Sequence, residues 1–169
     1  MLLIADKKLS EHFWLHEMAS KGLDGPYVEQ GIEVELFCVA NERFRVWYNR
    51  IMNPSSWHRT LVHNAEEGGS SISQHLLATA TDNKFPINEG DEVNTPFSER
   101  QDEFLVNITT AWAWIIMDLS EEYKDVIKKF KINMNTGIFW YWWGFHLGFG
   151  QYNYNRWKDY RNSSRNQIL

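Results

Sequence analysis

Apolar residues in this chain recur in two long helical patterns, separated by polar stretches and followed by an aromatic segment. Residues 9–20 read as a short helix-forming opening, broken by Gly22, Gly25 and Pro26. From 27 to 50, Val28, Ile32, Leu36, Val39, Phe44 and Trp47 fall at roughly helical spacing and predict a long helix. Pro54, Ser55 and Ser56 end that region, and a short strand fits Ile51 to Ser56. Residues 57–72 are polar and close on Gly68-Gly69-Ser70-Ser71, the composition of a loop. A second surface loop is expected over 83–97, which carries two prolines and several acids.

A second long helix is predicted from Ser98 to Leu119. Ser98 is placed to cap it with Gln101 three positions on, and Phe104, Leu105, Ile108, Trp112 and Ile115 form its apolar stripe. Residues 121–130 suit a short third helix. Ile138 to Phe149, rich in aromatics and glycine, reads as strands, and the tail from about residue 161 is polar. The pattern predicts an α+β fold, a small antiparallel sheet flanked by helices. At 169 residues the chain suits one domain covering 1–169.

Composition narrows the function. Hydrophobic residues make up 43%, enough for a real core. Nine Trp, seven Tyr and ten Phe serve either that core or a stacking groove. A net charge of -5 argues against nucleic acid, whose binding rests on phosphate neutralisation, and against electrostatic attraction to an anionic cell wall. The single cysteine, Cys38, lies in the apolar run Leu36-Phe37-Cys38-Val39-Ala40 and reads as a buried hydrophobe rather than a nucleophile. One cysteine builds no disulfide framework, which suits a reducing cytoplasm. The apolar start Met1–Ala5 is too short for a signal peptide, and no stretch has the length of a membrane span.

The chemistry-bearing segment is Ser73-Gln74-His75-Leu76-Leu77-Ala78-Thr79-Ala80-Thr81-Asp82. A His and an Asp seven positions apart can converge where a loop runs into a strand, and both suit zinc. His146, in Gly144-Phe145-His146-Leu147-Gly148, is the natural third ligand, although a lone His in an aromatic strand equally suits a satisfied core position. His12 and His16 are four apart, but Ser20 stands where a zinc-helix motif needs its second His.

The run Ser56-Trp57-His58-Arg59-Thr60, followed by Asn64, Gly68-Gly69, Ser73, His75, Ala80 and Asp82, resembles the signature of M15 peptidases, in its phage form, without a gap. The opening Leu9-Ser10-Glu11-His12-Phe13-Trp14-Leu15-His16-Glu17-Met18, the turn Lys21 to Pro26 and the stretch Gly144 to Trp157 extend the resemblance. It implies zinc on His75, Asp82 and His146, Arg59 facing the substrate, and Ser73 close to it. It further implies hydrolysis of peptidoglycan stem peptides, by a D-alanyl-D-alanine carboxypeptidase or an L-alanyl-D-glutamate endopeptidase. Such a protein would be made in a host cytoplasm and would act at the cell wall, freed as an endolysin or carried with virion proteins.

The general base departs from the pattern. Trp143 and Gly148 occupy the positions where M15 members place an acid or a His, and Ala78 replaces the motif glycine. The remaining candidates are Glu66, Glu67, His63 and His58 in the preceding loop. The alternative is a module that keeps the metal site and has lost efficient hydrolysis, serving as a phage structural or wall-binding part.

Overall fold

The structure is a computed structural model and describes residues 8–18, 31–49, 52, 54–84, 100–141 and 143–151. It is an α+β fold. Helix α1 spans Gly31–Tyr48 and α3 spans Arg100–Glu122; α4, Lys124–Phe130, follows directly. Strands β1 (Pro54–Ser56), β2 (Ala80–Lys84), β3 (Thr136–Tyr141) and β4 (Gly144–Phe149) form one open sheet in the order β1-β2-β4-β3, every pair antiparallel. Among the described residues no helix is long and apolar enough to cross a membrane.

Both long helices form where the apolar spacing predicts them, but the buried stripe of α1 is shifted. It runs through Val34, Phe37, Phe44 and Tyr48, whereas Trp47 is 45% exposed. The continuous run Leu36 to Ala40 offers apolar residues to every side of a turn, so spacing alone does not choose the inward face. Phe37 lies at the centre, with ring edges against Trp57, Trp112 and Phe149 at 5.6, 6.0 and 5.8 Å. Burying each such side chain stabilises by about 2–3 kcal/mol relative to exposure. On α3, Ile108, Trp112, Ile116 and Leu119 are buried, and Ile115 packs against the core from a partly exposed position. Ser98, the side chains of Phe104 and Leu105, the glycine turn at 22–26, the loop from 85 and the tail lie outside what is described.

Two stretches differ from the pattern. Residues 57–72 contain a helix, α2, over Leu61–Glu66. Thr60 caps it, its Oγ1 accepting from the His63 amide at 3.2 Å, and Gly68 at φ +71° ends the turn beyond it. A capping threonine before Leu-Val-His-Asn-Ala-Glu is the signal that polar composition hides. Among its described residues the opening segment holds only a 3-10 turn, Leu15–Met18, rather than a helix. It is docked on α1 instead: Glu42 accepts from Ser10 Oγ and the His12 amide, each at 2.7 Å, and its other oxygen lies 2.9 Å from His12 Nδ1. Cys38 is wholly buried, and burial pushes its thiol up to about 12, so it is no nucleophile.

Candidate metal centre

Strand alternation builds the centre. In β4, Phe145, Leu147 and Phe149 point into the helix-packed core, and Gly144, His146 and Gly148 take the other face. The β2–β4 register sets Asp82 opposite His146, and the β3–β4 register sets Phe139 opposite the same histidine. His75 arrives from a second 3-10 turn, Gln74–Leu77. Ser73 caps that turn, its Oγ accepting from the His75 amide at 3.3 Å. Ala78 closes it in the left-handed region at φ +59°.

His75, Asp82 and His146 are all buried, and one ligand-type atom of each lies within 4.8 Å of the others. His75 Nε2 is 3.3 Å, and His146 Nδ1 2.9 Å, from Asp82 Oδ1. The partners of the far nitrogens bear on what these near atoms carry. His75 Nδ1 stands 2.5 Å from the Trp57 carbonyl, which only accepts, so that nitrogen carries the hydrogen. His146 Nε2 stands 3.1 Å from Gln74 Oε1, again an acceptor. With the hydrogen of each neutral ring on its far nitrogen, the near nitrogen presents a lone pair on the Asp82 side, the form a metal ligand takes. His75 Nε2 is buried, and among the described residues it has no hydrogen-bond partner.

In that form three acceptor atoms converge, and a second ring proton or a metal cation would offset their repulsion. Burial pushes His75 below its ordinary imidazole value, which disfavours the proton there. Burial opposes the charge on Asp82, but hydrogen bonds from the protonated forms of His146 and His75 hold its carboxyl well below the usual carboxylate range. The donor set of two imidazoles and one carboxylate could hold a divalent metal.

Arg59 reaches the centre by a route the sequence does not reveal. Its Nη2 donates to Asp82 Oδ2 at 2.8 Å and its Nε to Ser56 Oγ at 2.9 Å, so it braces a candidate ligand while also lining the neighbouring cleft. Two further residues escaped sequence reasoning. Tyr141 donates its hydroxyl to Asp82 Oδ1 at 3.2 Å, and burial with the nearby Asp82 charge pushes that hydroxyl up to about 12. Gln74 orients His146. Strand alternation placed Tyr141 on the face of Phe139; Gln74 carried no signal beyond its place beside His75.

A cleft of about 530 Å3 opens over the centre, lined by Arg59, Ser73, His75, His146, Phe139 and Tyr141 among others. Among the described residues no carboxylate lines it. Trp143, at the position where an acid is usual, stacks flat on Tyr141 with ring centroids 4.6 Å apart. His58 is wholly buried and Glu66 is exposed on α2; neither lines the cleft. His63 and Glu67 line a separate cavity of about 180 Å3 together with Asp82, Arg59 and Trp143, and their side chains approach to 3.6 Å. Asn64 and Gly69 shape the intervening loop, Asn64 Nδ2 donating to the Ser70 carbonyl at 2.8 Å.

No curated protein and no solved structure matches the chain. A family model described as Peptidase M15 matches residues 11–110, a span that includes His75 and Asp82 and stops short of His146. With the match covering more than half of its length, and a possible His/Asp/His metal site beside it, the chain belongs to the M15 peptidases, a family of metallopeptidases.

Proposed function

We propose that the protein is a zinc-dependent hydrolase of peptidoglycan stem-peptide bonds, with His75 Nε2, Asp82 Oδ1 and His146 Nδ1 as the zinc ligands. The observation that carries this reading is the convergence of one ligand-type atom from each of His75, Asp82 and His146 in one buried spot. Two imidazole nitrogens and a carboxylate oxygen, gathered within 4.8 Å of one another, are a donor set that suits zinc. A zinc ion held there supplies Lewis-acid polarisation of the scissile carbonyl and makes water acidic enough to attack near neutral pH.

The chain's own residues do the rest. Arg59 holds Asp82 in its ligating pose and turns toward the cleft, where a guanidinium suits a substrate carboxylate or a developing oxyanion. Ser73 and Tyr141 offer hydroxyls to a peptide lying in the cleft, and exposed Phe139 offers a ring face. Of the candidate bases, Glu67 with His63 stands in a cavity shared with Asp82, so it is the pair best placed to take a proton. The setting is release as an endolysin or carriage with other virion proteins.

A second reading is supported by the absence of a carboxylate from the described cleft lining and by Trp143 at the acid position. In it the fold keeps its zinc and serves as a wall-binding or virion structural module. Elemental analysis of purified protein beside hydrolysis of purified walls, with and without chelator, decides. One zinc per chain with chelator-sensitive hydrolysis is expected. Zinc without hydrolysis would favour the second reading, and protein without zinc affinity would sink both.

A further inference from the structure

The two histidines of the centre are oriented by different means. His75 is fixed by the backbone carbonyl of Trp57, which no substitution removes. His146 is fixed by one side chain, Gln74. Gln74 Nε2 donates to the Gly150 carbonyl at 2.8 Å. A carbonyl only accepts, so the amide cannot be turned round, and Oε1 is the atom that must face the ring. Oε1 accepts a hydrogen carried by Nε2, and with the hydrogen there the Nδ1 lone pair is directed to Asp82, whose Oδ1 at 2.9 Å is the competing acceptor.

The amide lies in a slot made for it by two strands. A Cβ built on Gly137 of β3 would stand 2.1 Å from Gln74 Oε1, and one on Gly148 of β4 would stand 2.3 Å from it. The three atoms nearest the hypothetical Gly137 Cβ all belong to the Gln74 amide. Thus Gly137 and Gly148 are bare where Gln74 crosses the sheet, and the slot ends on the carbonyl that sets the amide's direction.

We propose that Gln74 is a positioning residue that locks His146 in its Nε2–H tautomer, with the bare faces of Gly137 and Gly148 forming its seat. Its consequence for zinc affinity rests on the zinc reading above; the lock itself does not.

The test reads the ring directly. In metal-free protein at about pH 8, above the ordinary imidazole range, long-range 1H–15N NMR reports which nitrogen of His146 carries the hydrogen. The wild type is expected as Nε2–H. Gln74→Met, which keeps the reach and removes the acceptor, is expected to release the ring to Nδ1–H, where it donates to Asp82. Gln74→Glu still offers an oxygen to Nε2–H and is expected to retain the wild-type tautomer. In competition with a chelator, Gln74→Met should bind Zn2+ roughly 10–100-fold more weakly than the wild type.

An Nδ1–H ring in the wild type, or an unchanged ring in Gln74→Met, overturns the lock. A released ring with unchanged zinc affinity overturns the positioning role. If Gln74→Met does not fold, Gly137→Ala asks the same question by evicting the amide, and the same release is expected. A wild type that ignores zinc yet shows an Nε2–H ring released by Gln74→Met would sink the zinc reading and leave the lock standing.

Discussion

Asp82 has two very different sides. Toward β4 the donors and acceptors are fixed: Trp57 and Gln74 set the far nitrogens of the two rings, and strand register sets the near ones. Toward α2, the acids sit on or just beyond a helix of six residues, and Glu66 and Glu67 are both exposed. One side is specified by strand register, a backbone carbonyl and one seated side chain. The other depends on a short surface helix whose side chains choose among water and each other. Metal holding and proton transfer are therefore separable properties in this chain, and substitutions can pull them apart.

The largest effect is expected at the shared residue. Asp82→Ala should abolish zinc retention and, in metal-free protein, cost about 3 kcal/mol, because Arg59 is left largely buried without its carboxylate. Denaturation in the presence of chelator measures this; a change within about 0.5 kcal/mol would mean that water replaces the carboxylate at no penalty. Next, Glu67→Gln should slow wall hydrolysis about 100-fold with zinc content intact, whereas Glu66→Gln should leave the rate unchanged. Equal rates in both variants would remove α2 as the source of the base. Arg59→Ala should weaken zinc binding about tenfold, since the arginine orients a ligand from behind. Wild-type affinity in a chelator competition would confine Arg59 to the cleft. The smallest effect belongs to the turn that delivers His75. Ala78→Gly should stabilise by about 1 kcal/mol, raising Tm by roughly 2–4 °C, by relieving a left-handed alanine. A lower Tm would show that the buried methyl outweighs the backbone strain.

The legibility of this molecule in its sequence follows the same division. The long helices and the α+β class were readable because apolar spacing reports burial directly. The alternation Gly-Phe-His-Leu-Gly-Phe places His146 opposite the core-facing aromatics, and an M15-like pattern around His75 and Asp82 was visible residue by residue. What brings His146 to them is a strand register, which no local pattern encodes and which the family match, ending at residue 110, does not reach. The α2 helix was hidden by its polar composition, since a capping threonine is a weak signal beside glycines and serines. Arg59 shows the limit differently. Its place at the centre was readable, but its bond to Asp82 depends on two side chains meeting across 23 positions of sequence.

The trio of acceptors has a consequence for the life of the protein outside any reaction. A metal-free chain must gather two imidazoles and a carboxylate at its centre without the cation they suit, so whatever cation binds there is also a folding ligand. At a free metal concentration of about a thousand times Kd, that coupling adds about 4 kcal/mol to stability. Cellular metal supply would then set how long each copy escapes proteolysis, and so how many copies accumulate.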